Sequence, residues 1–202
     1  MATEVKNCLQ KFYLYLNSVY PKWRNIYKTV KDHMEALRNL TEELNFADSD
    51  DIDPNRKNIE RFPEARDTWI FRIKEDIYKH IEKIRKIIQD LHNDSQELKQ
   101  KYDKLEKSID NVSFESKEME EIINGNPHTP TFDALMLGAK YACKFLSDMH
   151  KRLKEKIEEL NIYKEKTIED LEGEFQRQHK LKDSEMEDVM LLGTYTKPIK
   201  KN

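Results

Sequence analysis

Residues 48–53, Asp-Ser-Asp-Asp-Ile-Asp, put four carboxylates into six positions, and a run of that kind can wrap a calcium ion. A calcium loop takes oxygens at its first, third and fifth positions, turns on a glycine at the sixth and closes with a glutamate at the twelfth. Counted from Asp48, the fifth, sixth and twelfth places hold Ile52, Asp53 and Ile59, so the run reads as a solvated loop. His33, His80, His92, His128, His150 and His179 could serve a metal, but they are scattered. No two are four apart and there is no HExxH, the spacing that sets two imidazoles on one helical face beside a general base. His33 reads as a polar register-setter or a hydrogen-bonded core residue. Cys143 and His150 fall seven apart with no third partner in view, which does not make an activated nucleophile. Four glycines are spread too widely for a phosphate loop. No catalytic, cofactor-binding or metal-binding residue is predicted, and the chain reads as a non-enzyme.

What the rest of the sequence must build is therefore a surface for other proteins. Of 202 residues, 37% are charged and 37% hydrophobic, with four glycines and six prolines. A compact β fold consumes more turn residues than this. Long helices with one thin apolar stripe each use such a balance well. Thirty-six basic and 39 acidic residues interleave along the chain to a net charge of −3. That leaves no basic block for nucleic acid. The opening segment's longest apolar run is five residues, 12–16, and no stretch approaches the roughly 20 of a membrane span. MATEVKNCLQ lacks a signal-peptide layout. Cys8 and Cys143 read as free thiols of a reducing compartment; cytosol and nucleus both fit.

Periodicity then places the elements. Val5, Leu9, Phe12, Leu16, Val19, Trp23, Ile26, Val30, His33, Leu37, Leu40 and Leu44 alternate steps of four and three, which only one face of a helix collects. Pro21 lies off this stripe and predicts a kink, or two helices end to end, with the stripe keeping its phase. Residues 45–63 read as a connection. A second stripe runs Ile70, Ile77, Ile81, Ile84, Ile88, Leu91, Ser95, Leu98, Tyr102, Leu105, Ile109 and Val112. Glu75–Lys79, Glu82–Lys86 and Glu97–Lys101 mark its solvated side. Residues 113–130 form the next connection, with a helical piece near 115–123, a break at Asn124-Gly125-Asn126-Pro127 and a fresh start at Thr129-Pro130. The third stripe is Phe132, Leu135, Ala139, Ala142, Leu146, Met149 and Leu153, then Ile157, Leu160, Ile168, Leu171 and Phe175, with a stutter at 149, 153 and 157. Gly138, Ala139 and Ala142 suit close helix approach, and Gly173 weakens the far end.

These stripes predict an all-α chain. Three long helices over about 3–45, 64–112 and 130–179, each spanning roughly 65–75 Å, fold into an elongated antiparallel three-helix bundle or coiled coil over 1–180. Residues 181–202 read as a short helix or a flexible tail. Tyr13, Tyr20 and Tyr27 flank the first stripe beside Trp23. With Phe62, Phe132, Met190, Leu191 and Leu192 they are apolar residues that one bundle cannot all bury. They form the candidate partner-binding set, each with core packing or loop anchoring as its other reading.

Residues 11–44, KFYLYLNSVYPKWRNIYKTVKDHMEALRNLTEEL, resemble the N-terminal helix of the AIRIM family at Lys11, Trp23, Leu37, Asn39, Leu40, Glu42 and Leu44. ERFPEA at 60–65 is similar to that family's Phe-Pro step into its second helix. TPTFDAL at 129–135 is similar to its entry to the third, and DSEMEDVMLL at 183–192 to its acidic tail. Pro21 and a longer, more charged third helix depart from the pattern. The resemblance implies a helical adaptor with no cofactor, working with AAA ATPases and a second helical protein, CINP, in late large-ribosomal-subunit maturation. It implies an indirect link to the pre-ribosomal particle and a place in cytoplasm and nucleus. A generic coiled-coil spacer or tether, and a membrane-surface-binding bundle, are the competing readings from the residues themselves.

Overall fold

The structure is a computed structural model and describes residues 2–49, 63–110, 112, 117–125, 130–180 and 184–196. Among these, every regular element is an α-helix and no strand occurs. In chain order they are α1 (Ala2–Arg24), α2 (Ile26–Asp48), α3 (Pro63–Ile109), α4 (Lys117–Asn124), α5 (Phe132–Glu158), α6 (Glu165–Lys180) and α7 (Ser184–Tyr195). Asp50, Asp51, Ile52 and Asp53 of the acidic run, and Phe62, lie outside the described residues.

The first stripe is divided between two helices. Pro21 sits inside α1, and the discontinuity falls one turn later at Asn25, whose φ of −101° and ψ of 10° leave the helical region. Asn25 then accepts the Lys28 N–H at 3.0 Å to start α2. Ile26, Val30, Leu37 and Leu44 keep the stripe in the core across the break, but α2 buries Met34 and Thr41 where a strict seven-residue repeat offers His33 and Leu40, which are only half-buried. A straight helix drifts about 20° per heptad against such a repeat, so the next residue along moves into the core. A similar exchange opens α3, where Ile73 is buried and Ile70 half-buried. From Ile77 to Leu105 the second stripe, Ser95 included, is buried as its spacing predicts.

Local chemistry sets the other ends. α3 begins on Pro63, whose missing N–H would have no helical partner at that position. α4 stops at Asn124, and Gly125 follows at φ 63°, the left-handed turn that glycine adopts without strain. α5 is capped by Thr131, two residues beyond the Thr129 predicted: its Oγ1 accepts the Ala134 N–H at 3.4 Å. Where the spacing predicts one helix over 130–179, α5 and α6 are separated by a turn. Asn161 Oδ1 accepts the Tyr163 N–H at 2.9 Å, and Thr167 Oγ1 accepts the Asn161 N–H and donates to the Asn161 and Lys164 carbonyls. These local bonds compete with the helical ladder.

The chain divides into two compact units. Unit 1 comprises Met1–Arg24, Asp90–Lys151 and Lys180–Asn202, and unit 2 comprises Asn25–Gln89 and Arg152–His179. In unit 1, Phe12 of α1 meets Tyr102 of α3 edge-on at 6.3 Å, and Tyr13 of α1 donates to the Leu135 carbonyl of α5 at 2.6 Å. α4 and α7 both pack on α1. In unit 2, α2 meets α3 through His33 and His80, and α2 meets α6 through Tyr27, Arg38 and Glu172.

Candidate partner-binding surfaces

Four of the nine predicted partner-binding residues are core. Tyr13, Tyr20, Trp23 and Phe132 are buried, Tyr13 completely. Tyr27, Met190 and Leu192 are half-buried, and Leu191 is 57% exposed. The structure brings Tyr13 together with the tail. A Cβ placed on Gly138 of α5 would lie 2.9 Å from Leu192 Cδ1, 3.0 Å from the Tyr13 hydroxyl and 3.4 Å from Val189 Cγ2. A Cβ on Gly193 of α7 would lie 3.1 Å from Asn17 Nδ2 and 3.2 Å from Tyr13 Cδ1. Two glycines, one on each side of the contact, thus let α7 settle against α1 and α5, with Met186 and Val189 buried beneath it. Burial pushes the Tyr13 phenol far above its ordinary range, with Cys143 adding to the effect.

Sequence reasoning missed a further apolar row on α5. Leu137, Tyr141 and Phe145 recur every fourth residue, out of phase with the core stripe. The Tyr141 and Phe145 rings stack with centroids 6.3 Å apart, and Leu137 is 71% exposed. The signal was legible: a second four-residue repeat beside the first widens a helix's apolar face beyond what one seam covers.

Unit 2 has an exposed aromatic group of its own. Phe71, 67% exposed, and Tyr78 stand seven residues apart on α3, and Lys74 between them places its ammonium 5.4 Å from the centre of the Tyr163 ring. The hydrogen bond that Lys74 donates to Tyr163 raises the Lys74 pKa. Phe46 is also largely exposed. Polar contacts between helices accompany the apolar core of this unit. Glu172, 7% exposed, takes Arg38 on one oxygen and the Tyr27 hydroxyl on the other at 3.0 Å. Gln176 donates to Glu172 at 3.1 Å and to Tyr27 at 3.2 Å. Trp69 Nε1 donates to Glu43 at 2.9 Å, and Arg66 Nε to the Ala47 carbonyl at 2.9 Å.

The groups considered for chemistry have other roles. His33 and His80 share a hydrogen bond, Nδ1 to Nδ1 at 3.2 Å, and His92 packs its ring on that of His150 at 4.5 Å. Burial lowers the His80 pKa, with His33 and then Lys83 acting the same way and Asp76 opposing. Burial pushes the Cys143 thiol up to about 12 although Lys99 pulls it down, so it is protonated at neutral pH. Among the described residues, no three His, Cys, Asp or Glu side chains are grouped to hold a metal ion, and no helix is long and apolar enough to cross a membrane. Of the predicted surface pairs, Lys79 meets Glu75 at 3.1 Å and Lys101 meets Glu97 at 3.0 Å, while Glu82 is met by Arg85 at 2.7 Å.

Compared with known proteins, residues 3–193 match the family model described as CA109-like, Ribosome biogenesis protein C1orf109-like. No curated protein matches the chain.

Proposed function

From the premise that this chain belongs to the C1orf109-like family of ribosome biogenesis proteins, we propose that it is a non-enzymatic helical adaptor of an AAA ATPase complex in large-subunit maturation. One observation carries the reading: large apolar side chains stand in water on both units although each core is filled. Leu14, Leu137, Leu191 and Tyr195 do so in unit 1, and Phe46, Phe71, Tyr78 and Tyr163 in unit 2. Scattered apolar residues are ordinary on a surface, but grouped ones mark contact sites. The three stripes form antiparallel three-helix packing, a scaffold that holds such side chains in place. Leu191, with Met190 and Leu192, belongs to the binding surface, while Tyr13, Tyr20, Trp23 and Phe132 support it from below.

The partners in this reading are the ATPase and a second helical protein resembling CINP. The pre-ribosomal particle is reached through them, in cytoplasm and nucleus. Affinity purification of the tagged full chain from its native cells, with mass spectrometry, tests it. Recovery of an AAA ATPase together with a helical partner is expected, and recovery of neither removes the reading. Stable self-association in light scattering without either partner would favour a structural tether instead.

A further inference from the structure

We infer that His33 of α2 and His80 of α3 form a two-imidazole chelate for a tetrahedral divalent cation of the zinc class, which clips these two helices of unit 2 together. The rings meet nitrogen to nitrogen rather than face to face. Nδ1 lies 3.2 Å from Nδ1, with centroids 5.2 Å apart and ring planes at 65°. Two nitrogens bound at about 2.0–2.1 Å to one tetrahedral zinc ion stand about 3.3–3.4 Å apart. Neighbouring ligands of a square-planar copper or nickel ion stand closer, at about 2.8–3.0 Å for the same bond lengths. The observed separation is at the far end of the range for a hydrogen bond, and seating a zinc ion widens it by only about 0.1–0.2 Å.

The rings can supply both lone pairs. In the hydrogen bond one Nδ1 donates and the other accepts, so one ring carries its proton on the nitrogen that the metal needs. Among the described residues neither ring has a second hydrogen bond, and only the pair itself holds that tautomer in place. On binding, the donating ring gives its Nδ1 proton to water and takes one at Nε2, with no net release. The helices behind the rings are anchored: Val30 and Met34 beside His33, and Ile77 and Ile84 beside His80, are fully buried. Both histidines are half-buried, so water reaches the pair.

The surroundings set the class of ion. Imidazole nitrogens suit zinc-class metals, whereas magnesium and calcium take oxygens. Asp76, one turn before His80, is held by Lys79 at 3.0 Å. It attracts positive charge at His80 while Lys83 repels it. Two protein ligands are one fewer than a catalytic zinc site has, so the remaining positions belong to water or to a donor from outside the chain, and the ion exchanges.

Long-range 1H–15N correlation NMR of the metal-free full chain, labelled with 15N-histidine, tests this as Zn2+ alone is added. The Nδ1 resonances of His33 and His80 should shift together and saturate at one Zn2+ concentration, with both Nε2 protonated. Amides of α2 and of α3 before residue 89 should exchange more slowly as the ion binds, and Mg2+ should change nothing. His33→Gln and His80→Gln keep a polar side chain but remove a ligand. Each should weaken binding at the remaining ring by at least about tenfold, because a chelate's second contact is intramolecular, with circular dichroism confirming the fold. The unsubstituted chain decides without them. No Nδ1 shift in excess Zn2+, a shift in one ring only, or a shift at Nε2 in place of Nδ1 overturns the site. Unchanged amide exchange, or a ring whose response survives loss of the other, does the same.

Discussion

Both units bury an apolar core, and they differ in the contacts that join helices beside it. In unit 1 the contact around α7 is a matter of fit: glycine faces side chain at two places, and the buried phenol of Tyr13 donates inward to the Leu135 carbonyl. In unit 2 cross-helix polar groups are added to the apolar seam: those gathered on Glu172, Trp69 with Glu43, and the His33–His80 pair. Fit is intolerant of an added methyl group and indifferent to pH near neutrality, whereas a polar network tolerates volume changes and responds to lost partners and to protons. Segment-resolved hydrogen exchange, which separates regions that open independently, reads the two units in one sample.

Tyr13→Ala should show the contrast most strongly. Removing a fully buried aromatic side chain costs about 3–5 kcal/mol, and amides of α1, α5 and α7 should exchange faster before those of α2 and α6. Equal loss of protection in both units would remove the distinction. Tyr13→Phe keeps the ring and costs only about 0.5–1.5 kcal/mol, because the Leu135 carbonyl loses the phenol but remains in the α5 helical ladder.

Glu172→Ala is the counterpart in unit 2. It leaves Tyr27 and Gln176 without a shared acceptor and Arg38 without its carboxylate. The Arg38 side chain is 36% exposed and rehydrates, so the loss is about 1–3 kcal/mol rather than that of a fully buried pair. Glu172→Gln should recover part of it by keeping an acceptor for Tyr27. A melt showing no difference between the Ala and Gln variants would mean that the network adds nothing beyond packing.

The same substitution should then have opposite signs in the two units. Gly138→Ala puts a methyl group within 3.0 Å of the Tyr13 hydroxyl, which is tied to Leu135, and 2.9 Å from Leu192 Cδ1, which can swing away. The constrained neighbour decides the sign, and about 1–3 kcal/mol should be lost, chiefly as release of α7. Gly173→Ala meets nothing within 4 Å and should stabilise α6 by about 0.5–1 kcal/mol through helix propensity. Chemical denaturation of both variants checks the pair, and destabilisation by Gly173→Ala would contradict the open space around it.

How far the sequence revealed this depends on which physical signal each feature leaves. The third stripe from Phe132 to Phe175, Leu160 excepted, and the second from Ile77 to Leu105 are core, because apolar spacing is the direct imprint of a buried helical face. Met34 and Thr41 were hidden because a strict heptad is a property of supercoiled helices, and α2 drifts off it. The turn at 159–164 was hidden because Asn161 and Thr167 end a helix through side-chain bonds that leave little periodic trace. Partner-binding candidates chosen for being aromatic were mostly core, since Tyr13 satisfies its hydroxyl internally and so can be buried whole. Phe71 went unremarked because one helix's pattern does not show which of its apolar side chains a neighbour covers, whereas the Leu137 row was legible as a second four-residue repeat.

The smallest expected effect is read in unit 2 near neutral pH. His80 titrates below its ordinary 6.5, first through burial and then through His33 and Lys83. A base whose pKa is depressed by folding binds fewer protons folded than unfolded between the two values, so stability rises with pH across that window. The contribution is whole above 6.5 and disappears as pH falls toward the folded value, because a charged His80 is disfavoured by its burial and by His33 and Lys83 beside it. Amides of α2 and of α3 before residue 89 should therefore lose protection, modestly, as pH falls from 7 toward 5.5. His80→Gln should flatten that slope by removing the group whose pKa folding lowers. The Tyr13 phenol that anchors the α7 contact titrates far above this range and cannot produce such a slope in unit 1. A slope in unit 2 that survives His80→Gln would assign it to other groups and leave the imidazole pair as a hydrogen bond alone.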